Sequence, residues 1–149
     1  MYEVIFFAFA LLLSTLLAKV EIQMEGRHGY AEKLPVSWRS SNKWARTLFT
    51  GTSYHLYMGL FLLSMVHLPF VVGLPWTIGG EMLVLSLLAF VTVAEDFLWF
   101  VLNPAYGIRR YRKMYIPWFR DRWLGFIPLW YTWYLAAGVA LYVGHYFVN

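Results

Sequence analysis

The chain has 149 residues, of which 60% are apolar, 21% aromatic and only 13% charged, with twelve Lys and Arg against eight Asp and Glu. A soluble domain carries roughly 45–50% apolar and about 25% charged residues, so a chain this short cannot bury the excess and lipid is the expected solvent. Cysteine is absent, which excludes disulfides, thiolate zinc sites, iron–sulfur clusters and thiol nucleophiles.

A bilayer core of about 30 Å needs roughly 20 mostly apolar residues in a helix. Four runs meet this length without the alternation of a strand. The first spans residues 4–23. It is not expected to be a cleavable signal peptide, because no basic region precedes it and no small-residue cleavage site follows. Gly26 and Gly29 are placed to end it. The second run covers residues 48–72, and Pro69, Gly73 and Pro75 bracket the turn that follows. The third covers residues 78–102 and stops at Asn103-Pro104, since proline has no N–H and disfavours helix just before it. The fourth covers residues 127–148, with Trp130, Tyr131, Trp133 and Tyr134 near its start as an aromatic belt. The expected fold is all-α: a polytopic four-transmembrane-helix bundle forming a single domain over residues 1–149.

The basic residues set the orientation. Lys19, Arg27, Lys33, Arg39, Lys43 and Arg46 lie at the end of the first run and in the first connection. Arg109, Arg110, Arg112, Lys113, Arg120 and Arg122 lie in the third connection. In a four-helix chain these connections share a side. The positive-inside rule makes that side cytoplasmic, with both termini outside and the protein in the cell (inner) membrane. The two loops are also rich in aromatics, as in RRYRKMYIPWFRDRW, which suits a segment lying in the interface and touching anionic lipid headgroups. Nucleic acid is not an expected partner so close to a bilayer.

Two adjacent acids, Glu95 and Asp96, sit inside the third run. Asp96 precedes Pro104 by eight residues, or ~12 Å of helix, so both lie in the cytoplasmic half of the hydrocarbon. A lone carboxylate there costs about 2.5–3.5 kcal/mol on insertion scales unless it is protonated, paired or metal-bound. The first helix offers a matching stripe. Ser14, Ala18, Glu21, Glu25, His28 and Glu32 follow one another at steps of four and three, so they share a face. Glu25 and His28 form a Glu-x-x-His pair, whose spacing lets both side chains reach one metal. The second helix adds His55, flanked by Gly51, Thr52 and Gly59, which permit close approach.

Three readings compete for these groups: a divalent metal site, a proton-sharing network, or a wet cytoplasmic vestibule. The metal reading assigns Glu25, His28, His55 and Glu95 as ligands, with Glu21 and Asp96 as catalytic base or supporting groups. Mixed carboxylate and imidazole donors suit zinc, manganese or iron. A full di-iron carboxylate site needs a second Glu-x-x-His pair, which is missing. His67 and His145 are placed at the outer ends of their helices, as interfacial polar tips in preference to haem ligands. Glu81 complements the dipole of the third helix. Thr132, Ala136, Ala140 and Gly144 recur every fourth residue on the last helix, a ridge for close packing within the chain or in a homo-oligomer. There is no Walker loop, dinucleotide fingerprint, G-x-S-x-G elbow or H-E-x-x-H.

The expected function is therefore a membrane protein with a carboxylate/histidine site that modifies a lipid or other amphiphile. The alternatives are proton or cation transport and a non-catalytic subunit of a larger membrane complex.

Overall fold

In the computed structural model, which describes residues 2–41, 51–116, 119 and 122–148, the chain is mainly helical. Helix α1 is Tyr2–Glu25, α2 is Ser53–Val66, α3 is the single turn Leu68–Val71, α4 is Ile78–Leu102 and α5 is Leu129–Gly144. A two-stranded hairpin, β1 (Trp123–Leu124) with β2 (Ile127–Pro128), leads into α5. The basic residues Lys43, Arg46 and Arg120 and the expected helical residues 48–50 lie outside the described residues.

Helix α4 is the centre of the bundle. Thr77 caps its start, with Oγ1 accepting the Gly80 N–H at 3.0 Å, and it ends where the sequence places the Asn103-Pro104 stop. Helix α1 runs parallel to it at a constant offset. Ser14 Oγ donates to the Val91 carbonyl (3.2 Å) and Asn103 Nδ2 to the Gly26 carbonyl (2.7 Å), each bond joining residues 77 positions apart. Small residues make this approach possible: Ala10, Ser14 and Ala18 on α1 are buried, as are Ser86, Ala89 and Val93 on α4. With little side-chain bulk between them the two backbones pack closely, as membrane helices do without a hydrophobic drive between them.

Helices α2 and α5 run antiparallel to α4. On α5, Tyr131 reaches Asp96 while Gly138 lies over Ala89, where an added Cβ would come within 3.2 Å of the Ala89 Cβ. On α2, Tyr54 lies in the field of Glu95 and His67 bonds Glu81. The four longer helices alternate in direction and α4 touches the other three, which agrees with the all-α class expected from the sequence.

The element bounds differ from expectation in two places. Helix α2 has 14 residues, or about 21 Å. It breaks at His67 because Pro69 follows and supplies no N–H to the ladder, and residues 68–71 form a separate turn. Helix α5 starts at Leu129 because Ile127 and Pro128 pair with Leu124 and Trp123. It gives way at residue 145 to a 3-10 turn, His145–Phe147. By length and composition, α1 and α4 are each apolar and long enough to cross a membrane. Much of the apolar surface of α1 is open, including Phe9, Leu11, Leu12, Leu16 and Val20.

A buried hydrophobic cluster lies where α1 and α4 end, the basic end of the molecule. Ala18, Trp99, Phe100 and Ile116 form its centre, with Ile22, Leu98, Tyr106, Tyr111, Phe119 and Trp123 around them. The connection after α4 therefore folds back over the helix ends.

The middle of the small-residue ridge of α5 is not the surface that meets α4. Tyr131 and Gly138 are the buried positions of α5, whereas Ala136 and Ala140 line an open apolar groove with Leu135, Val139 and Val143. At its far end the Met82 methyl sits where a Cβ on Gly144 would lie.

Candidate functional site: a four-carboxylate cluster

Two helices bring four acids together just above the buried aromatic layer. Glu21 and Glu25 come from the last turns of α1, and Glu95 and Asp96 from α4. Each lies within electrostatic reach of the other three: all six pairings occur. Among the described residues, no Lys, Arg or His counts among the charges that act on them. The parallel register of α1 and α4 causes this. The offset of 77 sets Glu21 and Glu25 level with Leu98 and Leu102, within two turns of Glu95 and Asp96 on the basic-end side.

Three of the four carboxylates are held. The Tyr54 hydroxyl on α2 donates to Glu21 Oε1 at 3.0 Å. The Tyr131 hydroxyl on α5 donates to Asp96 Oδ2. The backbone N–H of Ala31 donates to Glu25 Oε1. That last donor is presented by a turn in which Gly26, Tyr30 and Ala31 all have positive φ (61°, 61° and 54°). Arg39 locks the turn, its Nη2 donating to the carbonyls of Ala31, Glu32 and Leu34. Glu95 is different. Its Oε1 is buried and has no hydrogen-bond partner, although the residue as a whole is only half-buried. A buried acceptor left unmatched carries a desolvation cost of about 1–3 kcal/mol or more.

Of the six sequence-derived site residues, Glu21, Glu25, Glu95 and Asp96 are gathered and the two histidines are not. His28 is half-buried, with Nδ1 3.4 Å from Glu32 Oε2 and Nε2 accepting from Arg27 Nε at 3.3 Å. Its α1 stripe is interrupted because the helix ends at Glu25, so the Glu-x-x-His pair does not share a helix face. His55 has its Nδ1 2.7 Å from Thr52 Oγ1, the residue that caps α2. Its ring lies against Tyr30 and Tyr54, with centroids 4.7 and 5.3 Å away. The described residues contain no group of three or more His, Cys, Asp or Glu placed to hold a metal ion.

Sequence reasoning missed Tyr54, Tyr131 and the Ala31 N–H as partners of the acids. Tyr54 adjoins His55, and Tyr131 sat within a run read as an interfacial belt. Two tyrosines on the basic-end connection border the site. Burial pushes the Tyr111 hydroxyl up to about 12, with Asp96 adding to it, and Tyr106 is raised for the same first reason. The Tyr106 hydroxyl donates to the Arg27 carbonyl at 3.2 Å, tying the two connections together.

At the opposite end, His67 and His145 do not meet in any shared contact. His67 bonds Glu81, while the His145 ring packs on Tyr146 (3.9 Å) and Tyr142 (5.5 Å). No protein-family model, curated protein or solved structure matches this chain.

Proposed function

We propose that this chain is an integral membrane protein that crosses the bilayer four times, with the basic end cytoplasmic, and that its four-carboxylate cluster binds a cation. The observation that carries the reading is the mutual proximity of Glu21, Glu25, Glu95 and Asp96, with no base acting on them among the described residues and one carboxylate oxygen of Glu95 unmatched. Four uncompensated acids at membrane depth are costly, and positive charge between them relieves the cost.

With the histidines apart, the donors are all oxygen. That shifts the preferred ion from zinc or iron toward a hard divalent ion such as magnesium or manganese. Ions of this kind commonly take one or two protein carboxylates and complete their shell with water and phosphate oxygens. Arg27, Lys33, Arg109, Arg112 and Lys113 are exposed in the connections that follow α1 and α4 and make no ion pair among the described residues. They suit the phosphate of an anionic lipid headgroup. The substrate class that follows is a phosphate-bearing amphiphile of the cytoplasmic leaflet, with Glu95 as the contact group for cation or substrate. A through-going ion path is less well supported: above the cluster, Ala10, Ser14, Ala18, Ser86, Ala89 and Val91 are packed and buried, and Ser14 spends its hydroxyl on the Ala10 and Val91 carbonyls.

Manganese titration of the purified full chain, followed by the loss of the free-ion EPR signal, tests the reading. One saturable site per chain, displaced by magnesium and weakened at least about tenfold (1.4 kcal/mol) in Glu95→Gln, is expected. Binding that does not saturate, or that is unchanged in both Glu95→Gln and Glu21→Gln, overturns it.

A further inference from the structure

Away from the acid cluster, one pair holds a proton that neutral side chains do not supply. His67 ends α2, and both of its ring nitrogens face oxygen acceptors. Nδ1 is 2.6 Å from the Leu63 carbonyl oxygen, and Nε2 is 3.0 Å from Glu81 Oε1. A neutral imidazole has one N–H and can satisfy only one of them. The second contact needs a further proton, on the ring or on the carboxyl. The other Glu81 oxygen, Oε2, is buried without a hydrogen bond, so the pair has no spare partner to fall back on.

The surroundings are built around this contact. Phe70 and Trp76 stack at 5.2 Å with 10° between their planes, and their centroids lie 6.1 and 5.9 Å from that of His67. Gly80 seats Phe70: a Cβ there would meet the Phe70 ring at 3.1 Å. The elements packed on His67 contribute the Leu63 carbonyl from α2, Phe70 from α3, Trp76 from the following turn and Glu81 from α4. Among the described residues Glu81 is the one titratable group of that set.

Helix α2 is otherwise lightly held. Only Ser53 and Val66 are buried along it, and its packing on α4 is far sparser than that of α1 or α5. Its start is tied by Tyr54 to Glu21 and by Ser53 to Ser37 and Trp38, whereas its far end is held by His67 to Glu81.

We propose that His67 and Glu81 form a proton-dependent clasp that fastens the end of α2 to the start of α4 and releases it when the shared proton is lost. The element that moves is α2, whose other end supplies Tyr54 to the acid cluster, but the clasp does not depend on what that cluster binds. The hydrogen bond to Glu81 and then the Leu63 carbonyl raise the His67 pKa above its ordinary value, so the clasp is closed in acid and opens as pH rises through that raised value.

The absence of cysteine makes the test direct. Spin labels at Leu60→Cys on α2 and Val139→Cys on α5, both exposed, report the α2 position in the full chain in lipid nanodiscs. A narrow distance distribution in acid that broadens with rising pH is expected. His67→Gln and Glu81→Gln are expected to be broad at every pH. Nitrogen-15 NMR of the histidine rings, which needs no substitution, is expected to give His67 a midpoint above the ordinary ~6.5. A distribution that is independent of pH, a pH response retained in His67→Gln, or a His67 midpoint at or below ~6.5 overturns the proposal.

Discussion

The hydroxyl of Tyr131, on α5, donates its hydrogen to the carboxylate of Asp96, on α4. Both side chains lie in the α4–α5 contact, with Tyr131 buried to 4% exposure. Removing the donor alone leaves the carboxylate in place without its partner. Tyr131→Phe is therefore expected to destabilise the chain by about 1–3 kcal/mol, the range for stranding a buried acceptor. Tyr54→Phe, which strands Glu21 at a looser contact, is expected to cost less. Unfolding in a denaturing detergent series, followed by helical circular dichroism, measures both. Equal, negligible effects would show that neither hydroxyl is committed to its acid.

Gly51 carries a second prediction. It sits beside the Thr52 cap of α2, and the Tyr30 hydroxyl occupies its missing side-chain position, 1.7 Å from where a Cβ would lie. Tyr30 in turn packs on His55 and has a positive φ of 61°, so it has little freedom to step aside. Gly51→Ala is expected to displace Tyr30 and to destabilise by about 1–3 kcal/mol, the usual cost of overpacking. Gly59→Ala on the same helix, where a Cβ would meet nothing within 4 Å, serves as the control and is expected to be neutral or slightly stabilising.

How much of this was legible in the sequence follows from what each signal measures. The end of α4 was legible because its limit is chemical: Asn103-Pro104 stops the helix, while the Thr77 cap at its start emerged only in the structure. The shared face of Ser14, Ala18, Glu21 and Glu25 was legible from helical periodicity, and the structure sets it against Ser86, Ala89, Val93 and Asn103 of the α4 side. Together they place the acids in one cluster. The histidines were not legible in the same way. His28 follows Glu25 by helical arithmetic only if the helix continues, and it ends at Glu25, where Gly26 takes a positive φ. His55 lies at the right height, yet its Nδ1 turns to Thr52, a local capping contact that periodicity does not see. The Tyr131 bond to Asp96 depends on the rotation of α5, which an aromatic run cannot specify.

The His67–Glu81 pair predicts a pH dependence of stability with a definite sign. The folded His67 pKa lies above the unfolded value, chiefly through its hydrogen bond to Glu81. Its stabilisation is therefore fully present below about 6.5 and is lost as pH rises through the higher folded value. The melting temperature of the parent chain minus that of His67→Gln is expected to be positive in acid and to shrink on the alkaline side. Its size is expected to be no more than about 2–4 °C, since a partly exposed pair contributes little. A gap that grows with pH would reverse the assignment of the proton.

Orientation in the membrane is the last prediction, and it tests the premise of the cation reading. Ile108 and Trp76 are both exposed and lie at opposite ends of α4, one among the arginines and the other in the turn between α3 and α4. The basic loops attract the anionic cytoplasmic leaflet and resist translocation. A single cysteine at Trp76 is then expected to react with a membrane-impermeant maleimide on intact cells, while one at Ile108 reacts only after the membrane is opened. The reverse pattern would put Glu21, Glu25, Glu95 and Asp96 in the outer half of the bilayer. Equal labelling of both sites on intact cells would deny α4 a crossing at all, and the acids would then need no cation to offset a cost that lipid imposes.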